Sequence, residues 1–359
     1  MQMRKRLEQL LLRKPTSVLG IDIGSTSVKI VEIAWNKGRA LLKNLNIADI
    51  KPGIVSEGKI VDVAGMTEIL SSAVANSGTT CRDVVTAVNG QAIFIRELPF
   101  PAMEEAEMRE AIKWDMEKYV PYSQDSYYYD FATVGPGNNL QEVRVLVVAA
   151  PHDAVDPLVA TVKGSGLRPL AIDIEPLALF RTLKKEENTL IIDIGANITQ
   201  IILYQNGCPV VTRILPIAGN RFTETIRSAL DLEWNEAENL KLRQRNLLQR
   251  LDSNSEFTTL HTQLNLIVKE LARDVRRTVE YYQMQNRDAI IENFYLTGGG
   301  ANIDNLAPNL AALLDDVPVL EHNPLDFIDV SSSFDLTYIK MLAPRLSVAI
   351  GLGLRGGGV

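Results

Sequence analysis

Cysteine and histidine are scarce in this chain, and the scarcity narrows its chemistry. Its 359 residues hold two cysteines, Cys81 and Cys208, and three histidines, His152, His261 and His322. The cysteines lie far apart without metal-type spacing, which rules out a disulfide framework and suits a reducing cytosol. The scattered histidines argue equally against a zinc site. A basic surplus is missing too: the net charge is −7, whereas nucleic-acid binding usually shows as positive charge. No stretch reaches the roughly 18 consecutive apolar residues that span a bilayer. Neither Gly-x-x-x-x-Gly-Lys-[Ser/Thr] nor a helix-opening Gly-x-Gly-x-x-Gly occurs, so P-loop and Rossmann sites are unsupported. The opening MQMRKRLEQLLLRK lacks the long apolar core and cleavage site of a secretory signal. Leu7, Leu10 and Leu11 at helical spacing predict a surface helix there.

What is present is ordinary globular composition, 46% apolar and 23% charged. The length calls for two lobes or more. The central feature is a repeat. One segment runs Val18-Leu-Gly-Ile-Asp22-Ile-Gly24-Ser-Thr-Ser-Val-Lys29, and another Thr189-Leu-Ile-Ile-Asp193-Ile-Gly195-Ala-Asn-Ile-Thr-Gln. Each is an apolar strand carrying Asp, then Gly two residues on, then a polar turn and a second apolar strand. Turn signals follow at Asn36-Lys37-Gly38 and Asn206-Gly207, each leading to a third strand. Asp193 follows Asp22 by 171 residues (193 − 22), about one domain. The chain thus reads as duplicated, one lobe per copy.

The chemistry of the pattern is anion binding. Gly after Asp lets a tight hairpin aim its backbone N–H groups at one point. Ser25, Thr26 and the Lys29 ammonium add donors suited to phosphate oxygens, and Asn197 occupies the turn of the second copy. Asp22 and Asp193 at the strand ends suit a hydrated Mg²⁺. A third element, Phe294-Tyr-Leu-Thr297-Gly298-Gly299-Gly300, is a strand entering three glycines, where backbone can approach a nucleoside closely.

These three motifs resemble the phosphate-1, phosphate-2 and adenosine motifs of the actin, Hsp70 and sugar-kinase superfamily. The resemblance implies an α/β, actin-like ATPase fold of duplicated ribonuclease-H-like lobes binding ATP and Mg²⁺. It also implies that Glu175, 18 residues before Asp193 (193 − 175), orients water, with Asp193 as its partner in any hydrolysis. Glu238 and Lys241 resemble the family's adenine-side helix. Narrower features, Pro99-Phe-Pro101, a Met-Arg-Glu-Ala-Ile-Lys-Trp helix and Val120-Pro121-Tyr122, resemble the PilM family of type IV pilus assembly and, less closely, the FtsA cell-division family. That likeness implies an FtsA-type inserted subdomain and a cytoplasmic adaptor held at the inner membrane. Its partner would be the short cytoplasmic N-terminal tail of a PilN-like membrane protein.

The expected organisation is an N-terminal extension, 1–15, and lobe one from 16 to 85, resuming over 166–188. The insert covers 86–165, with Met108, Ala111, Ile112 and Tyr119 on one helix face. Lobe two covers 189–219 and 287–343 around a helical subdomain, 220–286, with a loop over 249–259. A C-terminal helix, 344–359, returns to lobe one. A polymerising actin-like ATPase is the alternative reading, and a small-molecule kinase a weaker one, for want of a second acidic motif. ATP binding with slow turnover and binding without turnover both fit these residues.

Overall fold

The computed structural model describes residues 16–357 except 124, 138, 140, 184–187, 244–247, 249–254, 288 and 316. The expected extension, 1–15, lies outside the described residues.

Val and Ile dominate the first strands, and branched side chains suit a pleated, half-buried surface. β1 (Ser17–Ile23), β2 (Ser27–Asn36) and β3 (Arg39–Asp49) form an antiparallel meander. A small hairpin, β4 (Val55–Ser56) and β5 (Lys59–Ile60), precedes α1 (Val63–Asn76). The α1 cap is Asp62, which accepts from the Gly65 amide at 2.9 Å. β6 (Asp83–Val88) then pairs in parallel with β1.

The chain next leaves this sheet. β7 (Phe94–Pro101), α2 (Glu105–Tyr119), β8 (Tyr127–Pro136) and β9 (Glu142–Pro151) build a separate antiparallel sheet, order β7-β9-β8, covered by α2. Met108, Ile112 and Met116 are the buried residues of α2. Tyr119, expected on that face, ends the helix exposed, and Val120 takes the core position beside it. α3 (His152–Gly164) was grouped with the insert by sequence but packs on lobe one. Its Ala154, Val155, Leu158 and Val162, one apolar face at 3–4 spacing, join Leu19, Ile21, Leu70 and Val84 in a single core. β10 (Arg168–Ile174) pairs in parallel with β6, and α4 (Glu175–Phe180) follows directly.

Lobe two repeats the plan. β11 (Thr189–Ile194), β12 (Thr199–Gln205) and β13 (Cys208–Leu215) form the meander. The helices α5 (Gly219–Leu230), α6 (Trp234–Arg243) and α7 (Ser255–Gln285) follow. The loop expected over 249–259 is therefore helical from Ser255, while 249–254 lie outside the described residues. β14 (Asn293–Thr297) pairs in parallel with β11, and after α8 (Leu306–Leu313), β15 (Val319–Glu321) pairs with β14. The return to lobe one comes earlier than expected. β16 (Asp329–Val330) pairs with β3, and α9 (Leu336–Leu342) sets Ile339 and Leu342 against Val31, Ile33 and Leu42. α10 (Ser347–Arg355) is the last helix among the described residues.

Sheet orders are β10-β6-β1-β2-β3-β16 and β13-β12-β11-β14-β15. Setting β16 aside, each is a meander whose first strand pairs in parallel with one later strand, which in turn pairs in parallel with a second, the duplication expected from sequence. The lobes meet at a seam made by α4 and α10, where Val18, Val85, Ala178, Leu179, Ile191, Ile202, Tyr204 and Leu352 share one core. Helix approach there is limited by the backbone itself. A Cβ on Gly351 would stand 1.9 Å from the Ala178 carbonyl oxygen. Gly351→Ala should therefore lower stability by about 2 kcal/mol or more, the scale of core overpacking. Urea unfolding checks this; an unchanged midpoint would mean the seam can yield by that distance.

Candidate functional site

Strand alternation decides which side chains reach the seam. In β1, Leu19 and Ile21 enter the outer core, while Val18, Gly20 and Asp22 face the other way. In β11, Leu190, Ile192 and Ile194 enter the helical core of lobe two, leaving Ile191 and Asp193 on the seam face. Both aspartates thus sit where their strands end, at the mouth of the seam. Each hairpin closes alike: the Gly24 amide donates to the Ser27 carbonyl at 3.1 Å, and the Gly195 amide to the Ile198 carbonyl at 2.9 Å.

Between the lobes lies a cleft of about 1190 Å³, somewhat above the range of roughly 300–1,000 Å³ for ligand pockets. Its walls include Asp22, Gly24, Ser25, Thr26 and Lys29 from the first hairpin, and Asp193 and Gly195 from the second. Glu175, Glu238, Lys241, Gly298, Gly299 and Gly300 complete the expected set. Asn197 alone falls outside. Its exposed side chain accepts from Asn220 Nδ2 at 2.7 Å, and Asn220 itself lines the cleft.

The floor is acidic. Lys29 Nζ pairs with Asp22 Oδ2 at 3.0 Å. Burial pushes the Glu175 carboxyl up to about 8, with the charges of Asp22 and Asp193 adding to the rise. Burial, then Asp22, pushes Asp193 up to about 7. Glu175 Oε2 accepts from the Gly90 amide at 3.3 Å and from Gln200 Nε2. Among the described residues, no group of three or more His, Cys, Asp or Glu side chains is placed to hold a metal.

The third wall depends on one backbone conformation. Gly298 follows β14 with φ +85°, and its amide donates to the Pro344 carbonyl at 3.0 Å. A Cβ there would lie 2.3 Å from Asp193 Oδ1, so only glycine lets the chain pass. Lys241 plays a different part from the one expected. Its Nζ donates to Gly219 O at 3.2 Å, Thr223 Oγ1 at 2.8 Å and Glu238 Oε2 at 2.7 Å. An ammonium has three donors, so Lys241 braces α5 against α6 and has none left for a ligand. Sequence reasoning passed over Asn89, Gln200, Trp234 and Arg345, all on the cleft wall. Gln200 was readable as the match of Lys29 in the repeat; the other three carry no local signal.

The two lobes, the hairpins at their junction and the glycine-gated third wall define an actin-like ATPase-fold protein. Solved structures agree on the fold: MreB5 of Spiroplasma citri bound to AMPPNP has TM-score 0.53 and 15% identity, covering 94% of this chain and 95% of that one. EutJ of Carboxydothermus hydrogenoformans, an ethanolamine utilization protein, has TM-score 0.57 and 16% identity, covering 98% and 97%. A structure titled PilM-PilN type IV pilus biogenesis complex has TM-score 0.83 and 28% identity, covering 96% of this chain and all of that one. The family model described as type IV pilus assembly protein PilM matches residues 20–357. The chain belongs to that family. A more distant sequence relative is the cell division protein FtsA of Borreliella burgdorferi, 23% identical over 94% of this chain and 90% of that protein.

The raised carboxyls set a pH dependence. Glu175 and Asp193 bind protons more tightly folded than unfolded, where 4.5 and 3.8 are their ordinary values. The stability they contribute is complete below those values and is lost as pH rises through about 7 and then about 8. The melting temperature of ligand-free protein should fall across that window, and Glu175→Gln should flatten the fall. A variant that declines as steeply as wild type would count against the burial of Glu175.

Proposed function

We propose that this chain is an ATP-binding adaptor of the type IV pilus inner-membrane platform that engages the cytoplasmic N-terminal tail of a PilN-like protein. The observation that carries the nucleotide half is the facing pair of Asp-Gly hairpins with the Gly298 loop on one cleft. The first hairpin, with Lys29, suits phosphate oxygens; Asp22 and Asp193 suit Mg²⁺, which takes one or two carboxylates beside waters and phosphates. When bound, the metal supplies charge neutralisation for the phosphate chain. Glu238 Oε2 is engaged by Thr223 and Lys241, which fixes its carboxylate at the cleft wall as an acceptor for ribose hydroxyls. Trp234 and Arg345 offer a ring face and a guanidinium to the base.

The adaptor half rests on family membership and on the junction of insert and lobe one. Tyr122 and Tyr127 meet at a tilt with ring centroids 6.1 Å apart, and Tyr127 and Tyr129 meet edge-on at 6.5 Å. Tyr128 lies 4.3 Å from the His152 ring and donates to Asp156 on α3 at 3.0 Å. Lys59 of the β4–β5 hairpin pairs with Asp153 of α3 at 2.6 Å beside them. β8, an edge strand, runs into this junction, and an extended peptide can pair with such an edge while its side chains enter pockets. Among the described residues no helix is long and apolar enough to cross a membrane. Peripheral placement through the partner accounts for membrane association.

Two measurements separate the halves. Excess Mg-ATP should raise the melting temperature, corresponding to about 3 kcal/mol at a hundredfold excess over the dissociation constant. Asp22→Ala should weaken that shift; a wild type that shows none sinks the nucleotide reading. A synthetic PilN-like tail should bind by calorimetry, and Lys59→Glu should weaken it about tenfold or more while leaving the ATP shift intact. Equal tail binding by the variant would move the groove elsewhere, and no binding by wild type would end the adaptor reading.

A further inference from the structure

At the side remote from the cleft, the lobe-one sheet ends in a row of exposed cations. The β2–β3 turn brings Lys37 and Arg39 there. Register sets Arg82 and Arg168 beside the start of β1, since Ser17 pairs with Ala34, Leu19 with Val84 and Arg168 with Asp83. Of the acids at this end, Asp83 is tied to Arg168, while Asp326 and Asp329 stand at the far edge by β16. Thr16 fixes where the preceding chain joins, because its carbonyl accepts from the Trp35 amide at 3.1 Å. That chain, outside the described residues, holds Arg4, Lys5, Arg6, Arg13 and Lys14 against one acid, Glu8, a side-chain charge of +4 (5 − 1) in a protein of net −7. Met3, Leu7, Leu10 and Leu11 recur among these cations at helical spacing.

A leucine stripe of this kind needs apolar surroundings. Among the described residues, the exposed Leu170 on β10 and Phe327 before β16 flank this end of the sheet, but four strands separate them and they make no continuous surface. The cations of the sheet end also repel a basic segment. A nucleic acid would attract the charges and leave the leucines in water. An anionic bilayer satisfies both: apolar side chains enter the boundary of headgroups and acyl chains, and long basic side chains reach lipid phosphates beside them.

We propose that residues 1–14 attach the protein directly to an anionic lipid surface, with the Lys37, Arg39, Arg82 and Arg168 end of lobe one turned to the same bilayer. One such contact is weak and reversible; joined to the proposed partner tail it becomes the second of two linked attachments, and it does not depend on that tail. Asp22 lies at the opposite end of β1, so the cleft stays clear of the bilayer.

The test is flotation of the full chain with protein-free vesicles, either phosphatidylcholine alone or phosphatidylcholine with anionic phosphatidylglycerol. The protein should float with the anionic vesicles only, and added salt should weaken the binding. Removing residues 1–14 should abolish it. Leu7→Glu with Leu10→Glu should lower vesicle affinity about tenfold or more, and carries the test if the shortened chain does not fold. Lys37→Glu with Arg39→Glu should lower it about tenfold. No preference for anionic vesicles, or undiminished flotation of the shortened chain or of either paired variant, overturns the inference. So does a short DNA duplex bound as tightly as the vesicles and equally by the leucine variant, which would mark a polyanion contact only. Calorimetry with the PilN-like tail should give the same affinity for the shortened chain as for wild type. A wild type that floats but binds no tail ends the adaptor reading and leaves the lipid contact standing.

Discussion

Three carboxylates, Asp22, Asp193 and Glu175, converge on the floor of the cleft, and among the described residues only Lys29 forms an ion pair with any of them. Burial disfavours the charged carboxylate, like charges brought together add to that, and the raised values of Glu175 and Asp193 express burial first and repulsion second. Every other feature of the site either tolerates this strain or answers it. Lys29 neutralises one acid, the Gly90 amide and the Gln200 amide hold another, and the cleft is open where further cationic charge would enter.

Bringing acids together needs a force that holds the lobes, and the apolar seam is its main source. Tyr204 is fully buried yet satisfied, its hydroxyl donating to the Pro176 carbonyl at 2.7 Å. A buried side chain of this class contributes about 1.5–3 kcal/mol, so the aliphatic and aromatic residues of the seam together outweigh the electrostatic cost of a few carboxylates. Farther along α4 and α10, Asp173 takes Arg181 at 2.8 Å and Arg355 at 3.0 Å. That buried carboxylate ties both seam helices to β10. The lobes are therefore joined on one side of the cleft by apolar contact, which leaves the opposite side as the way in.

The parts legible in the sequence were those whose signal is local. An Asp, a Gly two residues later and alternating Val and Ile set both hairpins, and the same pattern twice set the duplication. The three glycines after β14 were readable because a left-handed conformation selects for Gly298. What escaped depended on distant partners. β16 is two residues long, and its pairing with β3 carries no local signal. The apolar face of α3 showed that it packs on something, but only the fold says that the something is lobe one. Lys241 looked free for a ligand because its three acceptors come from α5 and from its own helix, 3 to 22 residues away. Asn197 looked like a phosphate contact because it sits in the turn, yet its side chain is engaged by Asn220.

The proposed nucleotide site and the proposed tail site meet at one short segment. Asn89 lines the inter-lobe cleft and also a small cavity, about 20 Å³, bounded by Val55, Gly58 and Ile60 of the β4–β5 hairpin and by Ala154 and Leu158 of α3. Its neighbour Gly90 donates to Glu175, and four residues beyond Gly90 (94 − 90) the insert begins at Phe94. Coupling between two sites needs a contiguous element that both of them bias. Asn89 and Gly90 are placed for such a role: Gly90 donates to Glu175, and Asn89 lies against the hairpin that carries Lys59, close to the root of the insert. A nucleotide that shifted Glu175 would act on the segment from which the proposed tail groove hangs, and by reciprocity a bound tail would act on Glu175.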